Sequence, residues 1–395
     1  MQPSAKQRSP RFDQRPLRVA FVASSYNYIK DGVALTLNRL VAHLERKGVE
    51  VLVFAPVGKV PAFTHHGTVV PIPSMSLPPR PEYRLAFGFN RQAVERLRAF
   101  RPDIIHIALA PDFLGYSALK VARSLNIPVV ASYHTRFETY LKHYWYVAGL
   151  TGLVRSYLRR SYGACREVYV PSQSMIEALL ADGFRNNFKL WPRGVDTARF
   201  NPDKRSAFWR AKHGIGENEL VVAFISRLVR EKHLDTLVAA LRHLEAGRIA
   251  HRSVIVGDGP ERAVLERQLP NSIFTGFLEG DELAEAYASS DIFVFPSETE
   301  TFGNVTLEAM ASGLPSICAD ATGSRSLVMH GRTGYLAKPG SAQEFADHIA
   351  ALARDPELRR QMGAAARARS VEFSWDETMA RIHGYYKSLL AVTPA

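Results

Sequence analysis

Cysteine is scarce: Cys165 and Cys318 are the only two in 395 residues, far apart and outside any CxxC or Cys/His spacing. That argues against a disulfide framework, a zinc site and a redox pair together, and suits a reducing, cytoplasmic compartment. No stretch reaches the roughly 18 uninterrupted apolar residues that a spanning helix needs. The run from Met1 to Arg18 is polar and basic, without an apolar signal core, so neither secretion nor a transmembrane anchor is expected. GxGxxG and Walker patterns are also missing, which argues against a dinucleotide oxidoreductase and a P-loop NTPase. The first half is short of acid. Residues 1–195 carry 27 Lys and Arg against 12 Asp and Glu, whereas residues 196–395 carry 23 against 26. The net charge of +12 therefore belongs to the first half, where a basic partner surface is expected.

With 46% hydrophobic and 22% charged residues, the chain has the means to build a sizeable core, and its length predicts two domains. Leu17–Ala23 reads as a strand buried on both faces. Val33 to Lys47 carries Leu37, Leu40, Val41 and Leu44 at helical period before Gly48, and residues 49–54 form the next strand. The alternation continues through strands at 104–107, 129–132 and 167–170. After Pro192–Asn201 a second series starts, with strands at 220–225, 253–256, 273–274, 292–295 and 315–318. This pattern predicts an α/β protein of two doubly wound, Rossmann-like domains facing across a cleft. The division is a flexible tail over 1–16, a first domain over 17–195, a second over 196–374 and a last amphipathic helix within 375–395. Ligands in such sheets bind beyond the carboxyl ends of the strands, so the chemistry is sought in loops after strands.

Three loops qualify. Gly32 follows the first strand and precedes a helix, where backbone N–H groups can meet an anion. Arg227 stands at the end of the first strand of the second domain with Lys232 five residues later, a planar fork and a point charge suited to a diphosphate. The most specific stretch is Phe295–Pro315. It places Glu300 in a loop, the amides of Phe302, Gly303 and Asn304 at a helix start, and Glu308 about a turn into that helix. Carboxylates beside exposed amides suit a polyhydroxylated ligand with a phosphate next to it.

Glu300-x7-Glu308 with Phe302-Gly303 between, Ser226-Arg227-Leu228-x3-Lys232, Val256-Gly-Asp-Gly-Pro260, Arg193-Gly-Val-Asp196 with Phe200-Asn-Pro202, and Ala131-Ser-Tyr-His134-Thr135 occur in one order. Together they resemble the retaining glycosyltransferases of family 4, of the GT-B fold, over roughly residues 17–390. The flavour resembles the lipid-directed branch, similar to sulfoquinovosyl-, glucuronosyl- or mannosyl-diacylglycerol synthases, because Tyr133-His134-Thr135 is followed by Tyr140-Leu-Lys-His-Tyr144. The resemblance implies that Arg227 and Lys232 neutralise the donor diphosphate and that Glu300 holds sugar hydroxyls. It gives Phe302 to Asn304 backbone contacts to sugar and phosphate, Glu308 the ribose, and Gly32 the phosphates. It has His134 approach the sugar from the first domain and the last helix cross back to that domain. The catalytic set expected is His134, Arg227, Lys232 and Glu300, with no metal and no cofactor and with the nucleotide sugar as substrate. Arg193 stands where many relatives have Asn, a change expected to lie outside the chemistry.

The implied reaction transfers a sugar with retention from a nucleotide diphosphate sugar, a UDP-sugar first and GDP-mannose second, to a membrane lipid such as diacylglycerol. The departing diphosphate is stabilised by Arg227 and Lys232, and Glu300 is not assigned as a nucleophile. Residues 136–166 hold six Lys or Arg, seven aromatics and only Glu138 as acid. Lys142, Trp145, Arg155, Arg159 and Arg160 are therefore expected on an anionic membrane interface, which Arg80 to Arg101 extend. That reading places the protein peripherally on the inner face of the cytoplasmic membrane. A polyprenyl-linked or polysaccharide acceptor is the alternative, and a nucleotide-sugar 2-epimerase a remote one. Nucleic acid is not expected, since no recognised binding module is present.

Overall fold

In the computed structural model the described residues are 15–77, 80–108, 110, 112–136 and 151–392. They form two parallel sheets covered by helices. In the first unit the order is β1 (Arg18–Ala23), α1 (Gly32–Arg46), β2 (Glu50–Ala55), β3 (Thr68–Pro71), β4 (Ser74–Leu77), β5 (Arg80–Ala86), α2 (Arg91–Phe100), β6 (Ile104–Ala108), α3 (Phe113–Ser124), β7 (Val129–Ser132), α4 (Thr151–Gly163), β8 (Glu167–Val170), α5 (Gln173–Ala181) and β9 (Phe188–Leu190). Seven strands pair in parallel in the order β3-β2-β1-β6-β7-β8-β9, while β4 and β5 make a separate antiparallel pair. The central strands are apolar on both faces because helices cover both, and β6, β7 and β8 are buried from end to end.

The second unit follows with α6 (Ala207–Lys212), β10 (Val221–Ile225), α7 (Leu234–Ala246), β11 (Arg252–Val256), α8 (Arg262–Gln268), β12 (Ile273–Gly276), α9 (Gly280–Ala288), β13 (Ile292–Phe295), α10 (Asn304–Ala311), β14 (Ser316–Ala319), α11 (Thr322–Leu327), β15 (Gly334–Ala337), α12 (Ala342–Arg354) and α13 (Pro356–Ser370). Its six parallel strands run β12-β11-β10-β13-β14-β15. Each sheet changes winding direction beside its first strand, at β1/β6 and at β10/β13, the position where such sheets open a crevice.

The chain leaves the first unit and returns to it through two segments that touch. Val195 N–H donates to the Phe373 carbonyl at 2.9 Å, and a Cβ on Gly194 would stand 2.6 Å from the Trp375 nitrogen. The last helix, α14 (Trp375–Val392), then packs on the first unit. Its Met379, Ile382 and Tyr386 are buried with Val19, Phe21, Leu37 and Trp191. Inside that contact the Tyr386 hydroxyl lies 2.5 Å from His106 Nδ1, and burial pushes the imidazole down to about 3, so it is neutral.

Candidate active site

Two helix starts face each other across the cleft. α1 begins at Gly32 behind Asp31, whose carboxylate accepts from the Ala34 N–H at 2.8 Å. α10 begins at Asn304 behind Gly303, which sits at φ 102, a left-handed conformation that glycine takes without a Cβ clash. A Cβ on Gly32 would come 3.7 Å from Asn304 Nδ2. The positive dipole ends of both helices thus converge on one place, with the Asp31 carboxylate already taking an amide of the α1 end, and that place is a natural seat for phosphate.

Arg227 and Lys232 bring cations there. The strand β10 ends at Ile225, and the loop behind it is held from below: the Leu228 N–H donates to the Asp258 carbonyl at 2.9 Å. Gly257, at φ 132, packs so closely that a Cβ would overlap the Ser226 carbonyl at 1.9 Å. The glycine of Val256-Gly257 therefore serves the Arg227 loop, whose arginine is exposed and acts electrostatically on the half-buried Asp31 carboxyl. Burial raises that carboxyl, and its hydrogen bonds and Arg227 oppose the rise. Lys232 closes a short 3-10 turn, is buried, lies 5.4 Å from the Phe295 ring centre, and pairs with the Glu300 carboxylate.

Glu300 is fixed through its own backbone. Thr322 Oγ1 donates to its carbonyl at 2.9 Å, and Gly323 lies so near that a Cβ would meet the Glu300 Cβ at 2.7 Å. The next residue joins the two units: Thr301 Oγ1 donates to the His134 carbonyl at 2.9 Å, and Ser172 Oγ donates to the Thr301 carbonyl at 3.1 Å. Glu308 is half-buried and accepts from the Tyr287 hydroxyl at 3.2 Å. Burial pushes its carboxyl up to about 7 against the pull of Tyr287, Arg39 and Arg199.

His134 enters the same cleft at the end of β7. Its Nε2 lies 2.8 Å from Ser132 Oγ and its Nδ1 2.8 Å from the Arg193 guanidinium. Arg193, expected to lie outside the chemistry, thus stands in direct contact with His134. The linker turns it inward, because its other N–H groups donate to the Trp191 carbonyl at 3.0 Å and it lies over the Trp191 ring at 5.0 Å. Burial and the nearby Arg193 charge keep the His134 imidazole well below the ordinary histidine range.

The structure thus brings Gly32, His134, Arg227, Lys232, Glu300, Phe302, Gly303, Asn304 and Glu308 to one cleft. Sequence reasoning missed Ser132, Ser172, Arg193, Tyr287, Thr301 and Gly323. Only Arg193, as a departure from the usual linker, carried a signal. Arg155, Arg159 and Arg160 lie on α4. Arg160 is exposed, Arg155 half-buried, and Arg159 donates to the Asp182 carbonyl and stands 5.9 Å from the Phe184 ring centre. Lys142 and Trp145 lie outside the described residues. No helix among the described residues is long and apolar enough to cross a membrane, and among them no three His, Cys, Asp or Glu side chains gather as a metal-holding set.

Comparison with known proteins agrees with this geometry. The family model "Glycosyltransferase Family 4" matches residues 30–199, and "Glycosyl transferases group 1" matches residues 205–369. The chain is 34% identical over 380 residues to the sulfoquinovosyl transferase SQD2 of Arabidopsis thaliana, covering 93% of this chain and 73% of that one. It is 36% identical over 382 residues to a GDP-mannose-dependent alpha-mannosyltransferase of Mycobacterium tuberculosis, covering 94% and 97%. It is also 28% identical over 317 residues to the alpha-monoglucosyldiacylglycerol synthase of Streptococcus pneumoniae, covering 76% and 70%. Among solved structures, sucrose-phosphate synthase from Thermosynechococcus elongatus superposes with a TM-score of 0.78 at 22% identity, over 95% of this chain and all of that one. The chain belongs to glycosyltransferase family 4, and its two units form the GT-B fold.

Proposed function

We propose that this glycosyltransferase moves a sugar, with retention at its anomeric carbon, from a UDP-sugar to a membrane lipid of the diacylglycerol kind. The observation that carries the donor half is the convergence of the α1 and α10 starts with Arg227 and Lys232. A diphosphate fits that cluster because it brings enough negative charge to engage both cations and both helix ends. Glu300 then serves sugar hydroxyls, and Glu308, farther along α10, serves the ribose.

The mechanism follows from where charge develops. As the bond from the sugar's anomeric carbon to the diphosphate breaks, negative charge grows on the phosphate and positive charge on the sugar ring. Arg227 and Lys232 stabilise the former. In the free protein Lys232 is held by Glu300. A bound diphosphate draws the ammonium toward itself and frees the Glu300 carboxylate for sugar hydroxyls. The acceptor hydroxyl attacks from the face the diphosphate leaves, and its proton passes to the departing phosphate.

The lipid half rests on the relatives that bear lipid names and on the first unit's surface. Phe113 and Tyr116 on α3 and Leu153 on α4 are exposed large apolar side chains, and Arg160 is an exposed cation on α4. Apolar groups flanked by cations favour an anionic bilayer surface. On this reading the protein works at the inner face of the cytoplasmic membrane and uses no nucleic acid, metal or cofactor. The second reading is GDP-mannose as donor, favoured by the mannosyltransferase match that spans 97% of that relative.

Mass spectrometry of anionic liposomes containing diacylglycerol, ceramide and phosphatidylinositol, incubated with each UDP- or GDP-sugar in turn, tests both. A lipid that gains one sugar mass with a UDP-sugar supports the first reading, and a gain only with GDP-mannose supports the second. If no lipid shifts and nucleoside diphosphate is released only with polyprenyl-linked or soluble glycans, the lipid acceptor is wrong.

A further inference from the structure

Arg193 is a cation in an unusual place. It is 5% exposed, and among the described residues no carboxylate pairs with it. Its charge is met by neutral groups: the Trp191 and Pro192 carbonyls, at 3.0 and 3.5 Å, the face of the Trp191 ring, and His134 Nδ1 at 2.8 Å. A buried charge without a counter-ion is costly, so its retention asks for a reason outside stability.

The imidazole supplies one. A guanidinium has only donors and keeps its proton at any ordinary pH, so the nitrogen that faces it must be an acceptor. That nitrogen is Nδ1, and a neutral imidazole with a bare Nδ1 carries its single proton on Nε2. In the free protein the Nε2–H donates to the buried Ser132 Oγ, 2.8 Å away, so a sugar hydroxyl receives that proton by displacing or sharing the serine. The titratable and charged groups that bear on the ring are Arg193 from the linker and the neutral His106 from the sheet, and neither offers Nδ1 a negative partner. Both the burial of the ring and the Arg193 charge disfavour an imidazolium.

We propose that Arg193 is a positioning residue for the transfer. By donating to Nδ1 it holds His134 neutral with the proton on Nε2, so that the ring meets the donor sugar as a hydrogen-bond donor and never as a base or a cation. This inference rests on the reading of the cleft as the sugar site. A neutral donor suits it, because the ring of the departing sugar becomes positive and an imidazolium beside it would oppose that charge. Arg193 keeps its own charge behind the imidazole, on carbonyls and an indole face.

The test begins on the unmodified full chain labelled with 15N in its histidine rings, with two-bond proton–nitrogen correlation spectra from pH 5 to pH 8 and a His134→Gln variant for assignment. The expected result is an unprotonated Nδ1, a protonated Nε2, and no titration of His134 across that range. An Nδ1–H tautomer, or a titration near 6.5, the ordinary histidine value, overturns the proposal whatever the enzyme's substrates prove to be. The kinetic counterpart uses Arg193→Gln and Arg193→Lys. In Arg193→Gln, kcat falls about 10-fold to 100-fold, by analogy with the loss on removing the outer partner of a metal-bound histidine. The donor KM stays near its original value, and the acidic limb of kcat/KM moves up in pH while staying below the ordinary histidine midpoint, because burial of the ring, the larger cause, remains. Arg193→Lys restores most of kcat and reverses that shift. An Arg193→Gln enzyme whose pH profile matches the unmodified one sinks the proposal even if its rate is lower.

Discussion

Lys232 has two suitors, the Glu300 carboxylate and the donor phosphate, and the competition shapes what its removal does. Replacing Arg227 or Lys232 by Ala is expected to lower kcat by at least ~10²-fold, the scale of losing one strong transition-state donor, and steady-state turnover with the transferable donor checks it. Near-normal turnover in both variants would refute the assignment. Glu308 makes a different kind of prediction. Its folded carboxyl sits at about 7 because it is buried, above the roughly 4.3 of an unfolded glutamate. The raised value means that the folded state prefers the protonated form. The carboxyl therefore costs nothing at low pH, and stability is lost as pH rises from about 4.3 through about 7. Glu308→Gln removes that penalty. Relative to the unmodified chain, its urea-unfolding free energy is expected to gain up to about 3 kcal/mol between pH 4.5 and pH 8, while donor affinity falls. Equal pH dependence in the two proteins would mean that the carboxyl is not desolvated.

At the scale of elements, the loops are fastened by hydroxyls and glycines. Gly323 opens α11 directly against Glu300. Gly323→Ala is expected to push the Glu300 loop away and reduce kcat more than it reduces thermal stability, which paired turnover and melting measurements would show. The contact of α14 with the first unit depends on a buried pair. Tyr386→Phe leaves His106 Nδ1 without its hydroxyl, and an orphaned buried polar atom costs about 1–3 kcal/mol, readable as a lowered melting temperature. The inner strands of both sheets were legible in the sequence because fully buried parallel strands are written as unbroken apolar runs. β7, β8 and β13 fall where the pattern places them, over 129–132, 167–170 and 292–295. The edge strands β3, β9 and β15 and the β4–β5 pair were not legible. They are short and only partly buried where described, so their residues need not be continuously apolar. Helices α12 and α13 also escaped the reading. Of the site, the residues carried by motifs were readable. Ser172, Tyr287 and Thr301 were not, because their roles arise from contacts across 129, 21 and 167 positions of chain.

At the scale of the whole molecule, the two units meet along a polar seam. Lys30 and Glu279 pair across it at 2.7 Å with both side chains well exposed, and Ser174 reaches the Thr322 carbonyl and Ser326. An exposed pair of this kind contributes roughly 0–1 kcal/mol and is screened by salt. Lys30→Ala is therefore expected to leave the melting temperature nearly unchanged. The buried cores of the two units are separate, and hydroxyls join them across the seam. The charge imbalance has its own consequence at this scale. Binding to anionic vesicles is expected to exceed binding to zwitterionic ones at low salt and to fade as salt rises, and sedimentation with both vesicle types checks it.

The adjacency of residues 193–195 and 373–375 has a topological reading. Because exit and re-entry lie side by side, the second unit is an insertion, a cassette hung from one spot of a host whose final helix comes after it. The gap left by its removal is short enough for a tight turn to bridge. The arrangement makes the second unit removable as a block that leaves the first unit and its packed helix α14 whole.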